Sequence, residues 1–253
     1  MIYIAFLFFT FIVLAFVLYQ WQYFMVFTPT YFRDSKLDDS YEILSITTDD
    51  GIELEGVIFT PLNPQNTILF FAGRSHDSVG LIKRLAEVYS DSRIITFNYR
   101  SYGRSEGVVN EKNINLDGVK IASLVRKNYG EFYLLGFSIG SSVASFVATK
   151  VDSKGLFLIG TFDSVENLAK TKYSFIPSWF LRYKFDNVKL VQDIDTKIYI
   201  FASVDDEITY IQNVRELKNY VKNLALYKEL YSLKHKELLW SDEVTNEIQK
   251  VLK

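Results

Sequence analysis

Gly136-Phe137-Ser138-Ile139-Gly140 stands directly after the apolar run Phe132 to Leu135 and directly before the helix-like stretch Ser141 to Lys150. Few architectures let a strand turn at once into a helix through a serine flanked by two glycines. The serine must occupy a sharp, strained turn, where a side chain at either glycine would collide with the adjoining strand or helix. The segment reads as a nucleophile elbow with Ser138 at its tip.

Serine is a poor nucleophile at neutral pH and needs an adjacent base. The chain offers two histidines, His76 and His235. Only His235 follows Ser138, and an acidic residue ending a later strand, Asp205, lies between them. The order Ser, Asp, His belongs to α/β-hydrolases, whereas chymotrypsin-like and subtilisin-like enzymes use the same groups in other orders. Ser138, Asp205 and His235 are therefore the candidate catalytic residues. Asp206 is a neighbouring rival for the acid, and Asp163, after the preceding strand, is a further candidate. Lys234 and Lys236 flank His235 and disfavour the imidazolium that forms during attack, so a buried carboxylate has to offset them.

The N-terminal segment has a different character. No charged side chain occurs between Met1 and Arg33, and Ile2 to Tyr19 is almost wholly apolar. At 1.5 Å per residue that stretch reaches roughly 27 Å, close to the hydrocarbon thickness of a bilayer. Tyr19, Trp21, Tyr23 and Phe24 follow, where amphipathic rings settle at a membrane surface. The segment lacks the basic start and small-residue cleavage site of a signal peptide, so a single-pass anchor is expected. Arg33 and Lys36 after the span lean towards a cytoplasmic domain; Asp34, Asp38 and Asp39 contribute little to that rule. The expected division is an anchor and flank over 1–32 and a catalytic domain over 33–253.

The formal net charge is -2, and the lysines form no dense basic block, so nucleic acid is not an expected partner. With two histidines and no cysteine, neither a metal site nor a cofactor is expected.

Beyond Pro29, extended runs alternate with amphipathic ones, the pattern of an α/β fold. Strands are expected at Tyr41–Thr47, Ile52–Phe59, Thr67–Ala72, Arg93–Asn98, Glu131–Phe137, Gly155–Thr161 and Lys197–Val204, with an eighth near Tyr227–Leu233. Asp49-Asp50-Gly51 marks a hairpin between the first two, and the later strands should be parallel. Helices are expected at Ser78–Tyr89, Asn115–Lys127, Ile139–Lys150, Ile211–Lys222 and Ser241–Leu252. The long interruption at about 162–196, rich in Tyr173, Phe175, Pro177, Trp179, Phe180, Tyr183 and Phe185, reads as a small cap whose aromatics line an apolar pocket or pack the cap down.

Several segments resemble a branch of the α/β-hydrolase superfamily: single-span, membrane-anchored hydrolases related to serine aminopeptidases and esterases. They are Phe27-Thr28-Pro29-Thr30, Thr48-Asp49-Asp50-Gly51-Ile52, the turn Asn98-Tyr99-Arg100-Ser101-Tyr102-Gly103-Arg104-Ser105-Glu106-Gly107, and Thr161-Phe162-Asp163-Ser164. The resemblance implies a mostly parallel sheet of about eight strands flanked by helices, and an oxyanion hole of the Ile139 and Arg74 backbone N–H groups. It favours Asp205, four residues after Phe201, as the acid, and puts His76 in the oxyanion loop. The chain departs from the family at Phe71-Ala72-Gly73-Arg74, where His-Gly-Asn is usual, so Ala72 removes a loop-supporting histidine. Ser141 stands where another glycine is common, and Phe201-Ala202 where His-Gly often precedes the acid. Arg100 and Arg104 read as structural residues of their turn.

The expected function is a membrane-anchored serine hydrolase, carboxylesterase-, lipase- or peptidase-like. It would cleave an ester, thioester or amide of a small-molecule or lipid-like acyl substrate through an acyl-enzyme. The competing reading is a catalytically inactive hydrolase scaffold that serves as a membrane-bound interaction module.

Overall fold

A computed structural model describes residues 2–31, 37, 39–173 and 177–253. Arg33, Asp34, Lys36 and Asp38, on which orientation was argued, and Phe175 of the aromatic stretch lie outside the described residues. The chain opens with α1 (Ile2–Val26), a helix with no buried residue, long and apolar enough to cross a membrane. Immediately after it the chain joins the body: Phe27 is buried, with its ring 5.1 Å from Tyr183 and 6.1 Å from Phe185.

Eight strands follow: β1 (Tyr41–Thr47), β2 (Glu53–Phe59), β3 (Asn66–Phe71), β4 (Ser92–Phe97), β5 (Tyr133–Phe137), β6 (Leu156–Ile159), β7 (Ile198–Ser203) and β8 (Leu224–Leu230). They form one sheet in the order β1-β2-β4-β3-β5-β6-β7-β8. β1 pairs antiparallel with β2 across the Asp49-Asp50-Gly51 turn, where Gly51 takes a left-handed φ of 83°. β2 is also antiparallel to β4, and every later pair is parallel. β5 and β6 are buried at every position because helices cover both faces, which is why their sequences read as unbroken apolar runs.

On one face lie α3 (Glu111–Tyr129) and α4 (Ile139–Ala148), which contribute Ile114, Ile121, Val143 and Val147 to the core. The opposite face is covered by α2 (Ile82–Val88) and α9 (Asp242–Leu252), through Leu85, Val244 and Ile248. The stretch between β6 and β7 holds α5 (Val165–Lys172), a 3₁₀ turn at Ser178–Phe180 and α6 (Asn187–Gln192). After β7 come α7 (Ile211–Lys218), β8 and the four-residue α8 (His235–Leu238).

Several boundaries move: α2 begins at Ile82, after a 3₁₀ turn at Val79–Leu81, not at Ser78, and α7 ends at Lys218, four residues before Lys222. The eighth strand begins at Leu224, three residues before Tyr227, and ends at Leu230. Its outer edge is unpaired and its burial only partial, so it lacks the apolar run that marks the central strands. α3 begins at Glu111, four residues before Asn115, because the Asn110 side chain accepts from the Asn113 N–H (2.9 Å) and caps it there.

Arg100 proves to be an internal tie. Its guanidinium donates to Asp117 through Nε (2.8 Å) and Nη2 (2.9 Å), and to Asp50 through Nη1 and Nη2 (both 2.6 Å). The β1–β2 hairpin, the turn after β4 and α3 are thus held by one side chain. Asp117 and Arg100 are buried, whereas the Asp50 side chain is 58% exposed. Removing the buried partner leaves a partly uncompensated internal cation. Asp117→Ala should therefore lower the unfolding free energy by about 3 kcal/mol, and Asp50→Ala, at the solvent-exposed end of the tie, by clearly less. Urea unfolding of the full chain in detergent, followed by tryptophan fluorescence, measures both.

Candidate active site

β5 delivers Ser138 to the C-terminal edge of the sheet, and α4 leaves from it at once. Ser138 has φ 55°, a left-handed conformation costly for a side-chain-bearing residue. Both flanking glycines are obligatory by contact. A Cβ on Gly136 would lie 2.5 Å from the Gly140 carbonyl oxygen, and one on Gly140 would lie 2.1 Å from that of Phe71. The strained turn is fixed by the Ser138 N–H, which donates to Ile159 of β6 (2.9 Å), and by the Ser141 hydroxyl. That hydroxyl donates to the Ser138 carbonyl (2.5 Å) and lies 2.9 Å from the Thr161 hydroxyl. Ser141, where a glycine is common, thus braces the elbow.

The carboxylate joined to His235 is that of Asp206, not of Asp205, the residue expected there. His235 Nδ1 lies 2.7 Å from Asp206 Oδ2. Asp206 Oδ1 accepts from the N–H groups of Ile208 (2.8 Å) and Thr209 (2.9 Å), and Oδ2 from the Thr209 hydroxyl (2.7 Å). Asp205 is exposed and points elsewhere, accepting from the Ser232 N–H (2.7 Å). The reason is local. β7 ends at Ser203, and the turn that follows directs the second carboxylate inward; spacing from Phe201 does not register that rotation. The Asp206-x-x-Thr209 pattern, a side-chain-capped turn, is the signal that separates the two.

Burial works hardest against the Asp206 charge, yet the bonds from His235 and Thr209 together hold its carboxyl below the ordinary aspartate range. With a depressed native pKa, its ionisation stabilises the fold above the ordinary aspartate value, and that contribution is lost as the pH falls through the native one.

His235 is buried at the start of α8, while the flanking Lys234 and Lys236 are exposed with their charges in solvent. The imidazole packs on Phe137, the residue before Ser138, at 4.9 Å between ring centroids. It also fills the space beside Gly160, where a Cβ would lie 3.1 Å from His235 Cε1. The imidazole therefore lies at the adjoining ends of β5 and β6, the end from which Ser138 emerges. No hydrogen bond joins Ser138 Oγ to the ring among the described residues; such contacts commonly tighten only once substrate binds. Phe137, Gly160 and Thr209 carry no motif of their own, and sequence reading passes over them.

Ile139 opens α4, so its N–H has no intrahelical acceptor. Arg74 follows Gly73 just beyond β3. The peptides on either side are fixed by two buried phenols: Tyr99 donates to the Ala72 carbonyl (2.7 Å) and Tyr102 to the Arg74 carbonyl (2.5 Å). Burial pushes both phenols well above the ordinary tyrosine range, which keeps them neutral donors. The loop at Ala72 is thus tied through its own carbonyl and that of Arg74.

His76 packs edge-on against Phe137 at 5.7 Å. Burial, with Lys236 nearby, outweighs a bond to the Gly73 backbone and pushes it below the ordinary histidine range. Asp163 is not joined to His235. Its carboxylate accepts from the Ser164 N–H (2.6 Å) and the amides of Asn167 (2.8 Å) and Asn213 (3.1 Å). Burial raises its pKa, and its carbonyl accepts from Asn187 N–H (2.8 Å), so it ties down both ends of the cap. Arg104 is exposed.

No protein-family model matches the chain. It is 26% identical over 215 residues to the uncharacterized protein R595 of Acanthamoeba polyphaga mimivirus, covering 75% of this chain and 73% of that protein. It is 24% identical over 147 residues to the lysophosphatidylserine lipase ABHD12 of Bos taurus, covering 50% of this chain and 37% of the lipase. The esterase Pf2001 of Pyrococcus furiosus superposes with a TM-score of 0.70 at 17% identity, over 88% of this chain and 95% of the esterase. Sheet order, elbow and superposition agree: the chain has the α/β-hydrolase fold.

Proposed function

We propose that the protein is a membrane-anchored serine hydrolase acting through Ser138, His235 and Asp206. The observation that carries this is the 2.7 Å bond between buried Asp206 and buried His235, with the imidazole laid on Phe137 beside the strained Ser138. In the reaction, Ser138 Oγ attacks the acyl carbon as its proton passes to His235 Nε2. Asp206 holds the Nδ1–H and offsets the imidazolium charge. The oxyanion is held by the Ile139 and Arg74 N–H groups, each worth about 3 kcal/mol of barrier. Imidazolium then protonates the leaving group, and water, activated by the same ring, hydrolyses the acyl-enzyme. No cofactor enters this scheme.

Residues 1–32 serve as anchor and flank, residues 33–253 as the catalytic domain, and about 162–196 as its cap. The apolar α1 and the aromatic cap support a lipid-like acyl substrate, in keeping with the lipase to which half of the chain is similar. The catalytic side of the membrane is proposed to be cytoplasmic.

A fluorophosphonate probe applied to the full chain in detergent should label the wild type at Ser138 and label neither Ser138→Ala nor His235→Ala. Folded wild type that stays unlabelled would overturn the assignment in favour of a non-catalytic scaffold. Asp206→Asn should lower kcat/KM on a short acyl ester by ~10⁴-fold. Asp205→Asn, which loses only an exposed turn bond, should stay within about threefold of the wild type. The reverse ranking would restore Asp205 as the acid.

A further inference from the structure

The length of α1 sets a level on the rest of the molecule. Its 25 residues span about 37 Å, whereas the hydrocarbon of a bilayer is about 30 Å thick. Counted from Ile2, the helix leaves the hydrocarbon near Gln20 to Gln22. Those two glutamines are the first side chains of α1 with an amide to satisfy, and the cap satisfies them. Gln22 donates to the Phe180 carbonyl (3.0 Å) and accepts from the Arg182 N–H (2.8 Å), and Gln20 accepts from Arg182 Nη1 (2.9 Å). Tyr19 meets the Phe180 ring edge-on at 6.1 Å, and the Arg182 guanidinium lies 5.8 Å from the Tyr19 ring centre. The cap turn is thus pinned at the depth where α1 emerges.

Trp179 sits in that turn, beside Phe180, and is 81% exposed. A tryptophan so exposed on a protein surface has no packing explanation, whereas at the boundary of a bilayer its amphipathic ring is in its preferred environment. Arg182 and Lys184 are exposed beside it, and Lys172 precedes it on the same cap, cations that an anionic lipid surface attracts.

We infer that the cap turn Pro177–Leu181 is a second membrane contact, with Trp179 seated in the bilayer interface next to the emerging end of α1. The inference rests on the anchoring proposed above. Two attachments fix the orientation of the domain, not merely its distance from the membrane. The cap leaves from the C-terminal end of β6, beside the end of β5 that carries Ser138, so that edge of the sheet is held towards the lipid. The β2–β3 connection, at the opposite end of the sheet, is held away from it.

The chain contains no cysteine, which gives a clean background for single-site probes. Trp179→Cys, Trp21→Cys and Leu62→Cys, each made in the full chain and labelled with an environment-sensitive fluorophore, would be reconstituted into phosphatidylcholine–phosphatidylglycerol vesicles carrying nitroxide acyl chains. Leu62 is fully exposed in the β2–β3 connection and serves as the remote position. Nitroxide quenching at 179 several-fold above that at 62, and close to that at 21, is expected. Quenching at 21 with 179 no different from 62 would overturn this inference alone; no quenching at 21 would overturn the anchoring as well. Fluorophosphonate labelling of the same vesicles reads the hydrolase proposal separately.

Discussion

The structure turns on how closely α4 approaches the end of β3. The backbone of Gly140 comes so near the Phe71 and Ala72 carbonyls that no side chain fits between them. That approach lifts Ser138 clear of the sheet and brings the first N–H of α4 near the loop that begins at Gly73. The proposed nucleophile and oxyanion donors are therefore set by one contact between backbones, and the φ of 55° at Ser138 is its local cost. Bracing comes from Ile159 at the end of β6, Ser141 in α4 and Thr161 in the loop after β6.

A second layer lies under the oxyanion loop. The turn after β4 contributes Tyr99 and Tyr102 as donors to the carbonyls around Gly73-Arg74. Asn98, just before it, donates to Glu55 (3.0 Å) and Asp77 (2.9 Å) and accepts from the Ser78 N–H (2.6 Å). These groups are buried, and a buried polar group left unpaired costs more than its bond contributes, so they behave as one network. The loop around Ala72 is consequently held through its backbone carbonyls, with the two phenols as donors.

How much was legible follows from the range over which each feature is determined. The elbow, the central strands and His235 are written locally, in glycine spacing, apolar runs and chain order. The choice between Asp205 and Asp206 is not, because it depends on the rotation of one turn and on Thr209 three residues later. The bounds of β8 are weakly written because an edge strand buries little and so lacks a strong pattern. α5 and α6 went unread because their lengths, 8 and 6 residues, give few turns in which a periodicity can declare itself. Both are defined instead by caps, Ser164 to Asn167 and Asp186 to Lys189. Gly160 left no mark at all, since its role is the room it leaves for an imidazole 75 residues away in the chain.

The same reasoning changes the meaning of the N-terminal segment. A tether would need only length and apolarity, yet Phe27 is packed within the core, the Thr28 N–H lies 3.0 Å from the Tyr102 hydroxyl, and the Thr30 carbonyl accepts from Gly103 (3.0 Å). The Arg74 side chain, from the residue proposed to hold the oxyanion, also donates to the Met25 carbonyl at the end of α1. The helix end thus shares the Tyr102 support with the oxyanion loop. Tilting α1 against the body would have to break those bonds or carry the loop with it, so α1 and the proposed catalytic geometry form one mechanical unit.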